Sequence, residues 1–358
     1  MAIATEAPPT RVPFDIRRTR RSIMSALLEA RARVGGGKTA LCDADDREFS
    51  YDEIVRASFA LGSALRRYGR RKETIGIMLP TSAGAVLAFF AVHAFGRIPA
   101  MLNFTAGGRN VAVACATAQV KVVVTSRRFV EHAKLQRLVA ELPAIPVVYL
   151  EDIRAGLSAL DKFAAFTGTL LPHWLISRWP DPDDTAVFLF TSGTEGDPKA
   201  AALSHANILA NVEQVRAHID IYPETDVLMN PLPTFHCFGL VVGTILPLMV
   251  GVKTALYPTP LHAKEIVKRI RRSKATVLLS TDTFISQYAR SSDEGDLVTL
   301  RLAVCGAERL RDETRQLLRR RCNIEVVEGY GVTEATAVVA SKKLGCVSGG
   351  PSRSASTA

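Results

Sequence analysis

The sequence predicts an α/β protein made of two similar βαβ-type halves, each with a largely parallel sheet. Short apolar runs alternate with helical patterns along most of the 358 residues, and this alternation is typical of strands joined by crossover helices. A polar, proline-containing stretch at residues 178–184 separates two such series. We therefore expect two halves joined there, with ligands bound at the carboxyl ends of the strands.

The first series follows an N-terminal arm and first helix, which we place at residues 1–49. Its predicted strands are Ile75–Leu79, Ile98–Leu102, Val120–Thr125 and Val147–Leu150. Its predicted helices are Ser82–Phe95, Gly108–Thr117 and Arg128–Glu141. The last strand is expected to begin only after Pro146, because proline cannot donate a hydrogen bond to a strand ladder.

The second series repeats the pattern. Its predicted strands are Ala186–Phe190, Val227–Asn230, Val252–Tyr257, Thr276–Ser280, Leu302–Cys305 and Ile324–Val327. Its predicted helices are Ser204–Ile219, Phe238–Met249, Ala263–Arg272 and Arg311–Arg321. We expect Pro247 to end or kink the second of these. The pattern stops after Ala340, so residues 50–340 are expected to form one large domain and the serine-rich residues 341–358 a flexible tail.

Composition excludes several classes of protein. Hydrophobic residues make up 47% and charged residues 22%, which is ordinary for a globular chain. The net charge of +10 comes without a helix-turn-helix, RNP or zinc pattern, so no nucleic-acid partner is expected. Six scattered cysteines without metal-ligand spacing, and an N-terminus without a signal-peptide pattern, indicate a cytoplasmic protein. Both long uncharged stretches contain prolines and are predicted to be buried rather than membrane-spanning.

The most informative segment runs from Phe188 to Lys199 and reads FLFTSGTEGDPK. A predicted strand enters a loop of hydroxyl residues and glycines, Lys199 closes the loop, and a predicted helix begins at Ser204. Such a loop can turn backbone N–H groups, hydroxyls and a positive charge toward an anion. Position 198 is proline, so the loop is not a Walker A motif. A loop of this composition is often only a connection, but the flanking strand, lysine and helix favour phosphate binding.

These residues resemble the phosphate-binding motif of the adenylate-forming (AMP-binding) superfamily, which includes acyl-CoA synthetases, luciferases and peptide-synthetase adenylation domains. Pro231–Gly239 resembles the family's second core motif, and Glu328–Glu334 resembles its Y-G-x-T-E motif. Between them, Gly306–Leu310 is similar to the strand end against which adenine packs. The resemblance covers roughly residues 50–340 and implies the fold of the family's N-terminal domain.

Narrower features look like the acyl-ACP synthetase branch of the family. They are Glu195, Ser204–Gln214 and Tyr257–His262. In that branch the ligase is often fused to a 2-acylglycerophosphoethanolamine acyltransferase, but no H-x-x-x-x-D motif precedes the ligase here. The resemblance thus implies activation of a fatty or other carboxylic acid in lipid metabolism, possible peripheral membrane association, and no acyltransferase activity.

The resemblance also implies a reaction and its cofactors, ATP and Mg²⁺. A carboxylate attacks the α-phosphate of ATP, pyrophosphate leaves, and the thiol of acyl carrier protein or CoA then takes the acyl group. The residues expected to hold the β- and γ-phosphates are Thr191, Ser192, Gly193, Thr194, Gly196 and Lys199. The residues expected around adenine and the α-phosphate are Gly306, Ala307, Glu308, Tyr330, Gly331 and Thr333.

Glu334 is expected to hold Mg²⁺, because carboxylate oxygen suits this hard cation. In isolation, a histidine flanked by Phe235, Phe238 and Leu240 would more often be a core residue, but the resemblance implies that His236 lies where carboxylate and ATP meet. Gly239 and Leu240 are expected to border the acyl pocket. Lys199, His236, Thr333 and Glu334 are therefore the candidate catalytic residues.

Departures from the family pattern matter as well. Ala200 stands where the family usually has glycine, and the resemblance ends soon after Glu334. The tail shows neither the family's ribose-binding aspartate nor the lysine of its mobile C-terminal domain. We therefore expect an N-terminal portion of a ligase, incomplete at its C-terminus and impaired in turnover. The alternative is an inactive remnant that binds nucleotide or acyl groups.

Overall fold

The computed structural model describes residues 13–142, 145–170, 180–192, 197–341 and 356–357, and the structural statements below concern these residues. The start of the N-terminal arm (1–12), part of the predicted joint (178–179) and most of the predicted tail (342–355 and 358) lie outside the described residues.

The chain up to residue 170 alternates strands and helices. The elements are α1 (Ile23–Val34), β1 (Thr39–Cys42), β2 (Glu48–Ser50), α2 (Tyr51–Leu65), β3 (Thr74–Ile77), α3 (Ala83–Ala94), β4 (Ile98–Met101), α4 (Gly108–Thr117), β5 (Val120–Thr125), α5 (Arg127–His132), α6 (Gln136–Glu141), β6 (Val147–Tyr149), α7 (Leu150–Ala155) and α8 (Ala159–Leu170). The predicted helix at 128–141 is divided into α5 and α6, because Lys134 adopts a left-handed conformation (φ 54°) that ends α5. The sequence analysis assigned neither β1, β2 and α2 nor α7 and α8.

The second part of the chain follows the predicted series with three added strands, β8, β14 and β15, and one added helix, α12. The elements are β7 (Thr185–Ser192), β8 (Pro198–Ser204), α9 (His205–His218), β9 (Val227–Asn230), a π-helical segment (Phe238–Ile245), α10 (Leu246–Val250), β10 (Lys253–Leu256), α11 (Ala263–Ser273), β11 (Val277–Ser280), α12 (Asp282–Ser291), β12 (Leu302–Cys305), α13 (Asp312–Cys322), β13 (Glu325–Tyr330), β14 (Ala340–Ser341) and β15 (Ser356–Thr357). Pro247 does not end the predicted helix 238–249. It lies in the first turn of α10, where the π-helical segment passes into an α-helix.

Two sheets organise the described residues. One has the strand order β6-β5-β3-β4-β7-β8, and it is parallel except for β8. The other has the order β15-β14-β13-β12-β11-β9-β10-β1-β2, with parallel pairing from β13 to β1 and antiparallel strands at both edges. The predicted pair of largely parallel sheets is confirmed.

The sheets do not divide at the predicted joint, residues 178–184. Strand β7 follows that stretch but pairs with β4 of the first sheet, through Ala100 and Phe188. Strand β1 precedes the first series but pairs with β10 of the second sheet. Local composition marked a break in the chain, whereas sheet membership depends on contacts between residues far apart in sequence.

The two sheets share one large buried core. Its members come from both sheets and the helices between them, including Ile75, Phe89, Leu209, Val241 and Leu279. Helix α3 is apolar almost all round and buried, as predicted for the first uncharged stretch. None of the described helices is long and apolar enough to cross a membrane.

Candidate functional site

The predicted motifs meet where strands of the two sheets end. Thr191 lies near the carboxyl end of strand β7 in the first sheet, and Glu334 follows strand β13 in the second. The Thr191 hydroxyl donates a hydrogen bond to Glu334 Oε1 at 3.4 Å, across 143 positions of sequence. The carboxyl ends of these parallel strands thus form one candidate site, as the strand pattern predicted.

The predicted phosphate loop connects two antiparallel strands, not a strand and a helix. Thr191 pairs with Lys199 and Ser192 with Pro198 across the β7–β8 hairpin. This hairpin places the exposed Lys199 beside Thr191 at the mouth of the loop. Gly193, Thr194 and Gly196 lie outside the described residues, as does the side chain of Ser192.

Helix α9 begins a full strand later than the loop. Its N-terminus is satisfied locally, because Ser204 Oγ accepts from the Asn207 N–H and Asn207 Oδ1 accepts from the Ser204 N–H, both at 3.1 Å. The helix therefore contributes no open N-terminus to the loop. Strand β8 was missed because the run of alanines at 200–202 carries no alternating pattern.

The segment after β13 makes a tight turn that leaves room only for glycine at position 331. Thr333–Ala335 forms a 3₁₀ turn, and Thr336 and Ala337 then adopt positive φ angles of 64° and 82°. A Cβ on Gly331 would lie 1.3 Å from the carbonyl oxygen of Ala337. Such consecutive left-handed residues persist only where surrounding contacts fix them.

Asn211 of α9 supplies those contacts. Its Nδ2 donates to the Val338 carbonyl at 2.7 Å, and its Oδ1 accepts from the Val338 N–H at 3.2 Å. Asn211 is buried, so both bonds lie away from solvent. The sequence analysis used Asn211 only as a mark of resemblance. The sequence did contain a signal for this role, a polar amide on an otherwise apolar helix face. Such an amide must find hydrogen-bond partners when it is buried.

The predicted adenine side is built on the turn after β12. Ala307 has a positive φ of 65°, which turns the chain directly beyond Gly306. Glu308 accepts from the Thr283 N–H at 3.0 Å and from its hydroxyl at 2.8 Å, so its carboxylate is held at the start of α12. Tyr330, at the end of β13, is 66% exposed, which leaves its ring open for stacking.

The second motif joins the other two. The Phe238 ring lies over Gly306, where a Cβ would be 3.2 Å from Cε1. Burial raises the pKa of the Cys237 thiol, which shares a side-chain hydrogen bond with Thr333. Residues 237 and 238 thus contact both the adenine turn and the turn after β13.

His236 stands at the wall of this cleft. Its side chain is exposed, but the protein atoms around it remove enough water to lower the pKa of the imidazole below its usual value. Gly239 and Leu240 are buried behind it, and a Cβ on Gly239 would lie 2.3 Å from the Pro233 carbonyl oxygen. Leu240 belongs to the main core rather than to an open surface.

A cavity of about 680 Å³ lies next to the second motif. Phe104 lines it, and the Phe104 ring packs on that of Phe235 with centroids 5.0 Å apart. Apolar, basic and acidic side chains share its walls, among them Leu79, Arg128 and Asp43. Its size and mixed lining suit a small-molecule ligand.

The oxygen atoms of Glu334 and Thr191 could hold a magnesium ion together with a nucleotide. Among the described residues, no three His, Cys, Asp or Glu side chains are grouped as metal ligands. Magnesium commonly uses one or two carboxylates plus substrate phosphates and water. The residues therefore fit a magnesium ion that arrives with phosphate, not one enclosed by protein alone.

Residues 28–356 match the family described as AMP-binding enzyme. The chain belongs to the AMP-binding enzyme family. This confirms the resemblance predicted from the three motifs, and the match extends beyond residue 340, where the motif resemblance was expected to end.

Curated relatives in this family are acid–CoA ligases. The chain is 27% identical to 4-coumarate--CoA ligase 1 of Solanum tuberosum over 304 residues, which is 83% of this chain and 54% of that protein. It is 25% identical to the long-chain-fatty-acid--CoA ligase of Bacillus subtilis over 355 residues, covering 92% of this chain and 63% of the relative. The chain thus spans about half to two thirds of the length of these ligases.

Solved structures of AMP-binding enzymes share the fold. An anthranilate CoA ligase in complex with anthranoyl-AMP superposes with a TM-score of 0.77 at 20% identity, over 95% of this chain and 64% of that one. A benzoate CoA ligase from Burkholderia xenovorans gives a TM-score of 0.77 at 20% identity, over 91% of this chain and 64% of that one. The predicted fold class is confirmed.

Proposed function

We propose that this AMP-binding enzyme activates a carboxylic acid with ATP and passes the acyl group to a thiol. A carboxylate oxygen attacks the α-phosphorus, the bond to pyrophosphate breaks, and acyl-adenylate forms. A thiol sulfur then attacks the carbonyl carbon, and AMP leaves with the electrons of the broken acyl–oxygen bond. The observation that carries the proposal is the contact between Thr191 and Glu334, which joins the phosphate loop to the segment after β13.

The positions of the residues support the roles that we propose for them. Lys199 and Thr191, paired across the hairpin, would bind the β- and γ-phosphates together with Ser192 and residues 193–196. Thr333 would donate to the α-phosphate. Glu334 would hold Mg²⁺, which neutralises charge on the phosphates when bound.

Adenine would bind at the turn after β12. The exposed ring of Tyr330 would stack on it, with Gly306, Ala307 and Glu308 forming the other side. Gly331 supports this arrangement by allowing the chain to turn directly after Tyr330. His236, exposed in the cleft, would orient the carboxylate.

We propose a fatty acid as the substrate. The π-helical segment behind His236 is entirely apolar apart from Thr244, and Gly239 and Leu240 form its first turn. The alignment with a long-chain-fatty-acid--CoA ligase covers 92% of this chain. Aromatic acids are the competing class, because other relatives are 4-coumarate--CoA ligases.

CoA is the acceptor that the relatives support, and acyl carrier protein is the acceptor that the narrower motifs favour. We place the enzyme in the cytoplasm, with peripheral association with a membrane. These 358 residues span about half of the length of some relatives.

ATP–pyrophosphate exchange tests the proposal. The purified chain is assayed with palmitate, octanoate and 4-coumarate, with Lys199→Ala as the active-site control and Lys268→Ala as a matched surface control. Acid-dependent exchange that requires Lys199 supports the ligase. Binding of ATP by calorimetry without exchange for any acid would instead assign the inactive remnant. Transfer of radiolabelled acyl groups to CoA and to holo acyl carrier protein decides the acceptor.

A further inference from the structure

Helix α8 is attached to the protein by one face. Asp161 is 3% exposed, accepts from the Ser158 N–H and hydroxyl, and pairs with Arg67 at 2.8 Å. Seven residues later, Gly168 lies against the Phe59 ring, where a Cβ would be 2.2 Å from the ring. These contacts fix the inner face of α8 and align it antiparallel to α2.

The outer face of α8 is apolar. Leu160, Phe163, Phe166 and Leu170 are 77%, 64%, 63% and 67% exposed. At about 100° per residue, the last three fall within about 60° of one another, opposite Asp161 and Gly168. A helix on a protein surface ordinarily turns polar residues outward.

The concentration of these side chains is unusual for the molecule. Four of the eleven large apolar residues exposed among the described residues lie on this one helix. Single exposed apolar residues are common, whereas a contiguous group marks a surface that contacts something other than water. The outer face of α8 is therefore a docking surface without a partner in the described part of the chain.

Positive charge adjoins the N-terminal end of this surface. Residues 66–72 read RRYGRRK, with five basic side chains among seven positions, all exposed. Arg67 is paired with Asp161 and Lys72 with Asp184, so the segment carries more positive charge than these two carboxylates neutralise. Because α2 and α8 are antiparallel, this basic segment follows α2 to the start of α8, where Lys162 is also exposed. The nearest carboxylate of α7, Asp152, is paired with Arg127 at 2.5 Å. That end of the surface is thus positive.

We propose that the outer face of α8 docks on an anionic lipid surface. The four apolar side chains would enter the boundary between headgroups and acyl chains, and the basic segment would contact the headgroups. Stable peripheral binding generally needs two such signals, one apolar and one polybasic. A second copy of this chain is a poorer occupant, because it would bring the same positive charge against itself. The inference deepens the membrane association in the proposed function and rests on that part of it, not on the ligase chemistry.

Vesicle co-sedimentation of the full chain tests this docking. Phosphatidylcholine vesicles with phosphatidylglycerol should bind the chain, and phosphatidylcholine alone should bind it weakly. Phe163→Ser with Phe166→Ser should lower the partition coefficient by about tenfold or more, and Lys162→Gln by about fivefold. Leu261→Ser with Val298→Ser is the matched control, since both side chains are exposed elsewhere (70% and 77%) and should leave binding unchanged. The chain's two tryptophans, Trp174 and Trp179, follow α8 in sequence and give a fluorescence readout.

Several results would overturn the docking proposal. They are absence of binding to anionic vesicles, equal binding to neutral vesicles, or unchanged binding by the Phe163/Phe166 variant. Light scattering without lipid measures the oligomeric state of the chain. A wild-type dimer that the Phe163/Phe166 variant dissociates would show that the outer face of α8 serves self-association instead. If circular dichroism shows that this variant does not fold, the docking proposal is tested instead by the lipid binding of Lys162→Gln and by the salt dependence of wild-type binding. Exchange activity is measured separately, so loss of ligase function and loss of lipid binding are distinguished.

Discussion

The hydroxyl of Thr191 and the carboxylate of Glu334 lie 3.4 Å apart at the junction of two different sheets. Thr191 ends a strand of the first sheet, and Glu334 follows the last parallel strand of the second. Neither sheet alone carries all the residues proposed to bind the nucleotide. The site therefore depends on how the sheets pack, and substitutions on either side should affect the same ligand.

Lys199→Ala is expected to weaken binding of ATP with Mg²⁺. The loss of one charge-assisted contact to phosphate should cost about 1.5–3 kcal/mol, or roughly tenfold or more in affinity. Isothermal titration calorimetry measures the change. Lys268→Ala, which removes an exposed lysine on α11, is the control. Equal affinities of Lys199→Ala and wild type would exclude the phosphate role.

Glu334→Gln is expected to reduce the dependence of ATP binding on magnesium while leaving the fold intact. Glutamine keeps an oxygen that can accept from Thr191 but removes the negative charge that favours a cation. Titration of ATP at increasing Mg²⁺ concentration checks this. Glu313→Gln, on the exposed face of α13, should behave as wild type. An unaltered magnesium dependence in Glu334→Gln would remove Glu334 from the metal site.

Asn211→Ala should destabilise the turn after β13. Both hydrogen bonds to Val338 are lost, so the Val338 carbonyl loses its Asn211 donor and the Val338 N–H keeps only its bond to the Thr336 carbonyl at 3.3 Å, at a cost of about 1–3 kcal/mol. Asn211→Asp keeps only the acceptor and should fall between wild type and alanine. Chemical denaturation gives the stabilities, and calorimetry should show weaker ATP binding. Asn110→Ala serves as the control, because the half-buried Asn110 makes only a local hydrogen bond to the Ala106 carbonyl at 2.9 Å. If Asn211→Ala is no less stable than this control, Asn211 does not stabilise the turn.

Gly331→Ala should disrupt the same turn more severely. The added Cβ would lie 1.3 Å from the Ala337 carbonyl oxygen, so the backbone must move. We expect a loss of about 3 kcal/mol or more in the free energy of unfolding, with loss of ATP binding. Gly37→Ala is the matched control, because nothing lies within 4 Å of a Cβ there. A Gly331→Ala protein with normal affinity would show that the turn has another conformation.

His205 should make stability depend on pH. Burial lowers the pKa of His205 from 6.5 to about 4, against a small opposing effect of Asp184, and its Nδ1 accepts from the Ile23 N–H at 3.2 Å. Between pH 6.5 and 4 the unfolded chain therefore binds a proton that the folded chain does not. Stability is fully present above pH 6.5 and should fall by roughly 3 kcal/mol toward pH 4.

Denaturation curves at several pH values check the His205 effect. His205→Gln should flatten the stability profile in that window, because glutamine does not titrate but can still accept a hydrogen bond. His132→Gln, at an exposed position on α5, should leave the profile unchanged. Profiles of His205→Gln and wild type with the same slope would assign the pH dependence to other groups, the buried His93 among them.

The sequence by itself determined most of the strands, most of the helices and the family. Val120–Thr125, Gly108–Thr117 and Leu302–Cys305 have the predicted bounds because their apolar pattern is local and uninterrupted. The hydroxyls, glycines and lysine of residues 191–199 indicated an anion-binding loop from their own chemistry, and the resemblance of three ordered motifs to the adenylate-forming family implied adenylate formation. These properties depend on neighbours within a few positions.

The tertiary structure alone decided how these pieces meet. Strand β8 turned the phosphate loop into a hairpin, β1 and β7 joined sheets on the other side of the predicted joint, and Asn211 fixed a turn 127 residues away. The outward direction of Phe163 and Phe166 likewise depends on which face of α8 meets α2. Such relationships arise from contacts between segments that are distant in sequence. A local pattern records neither the chain entropy that these contacts cost nor the packing that they gain.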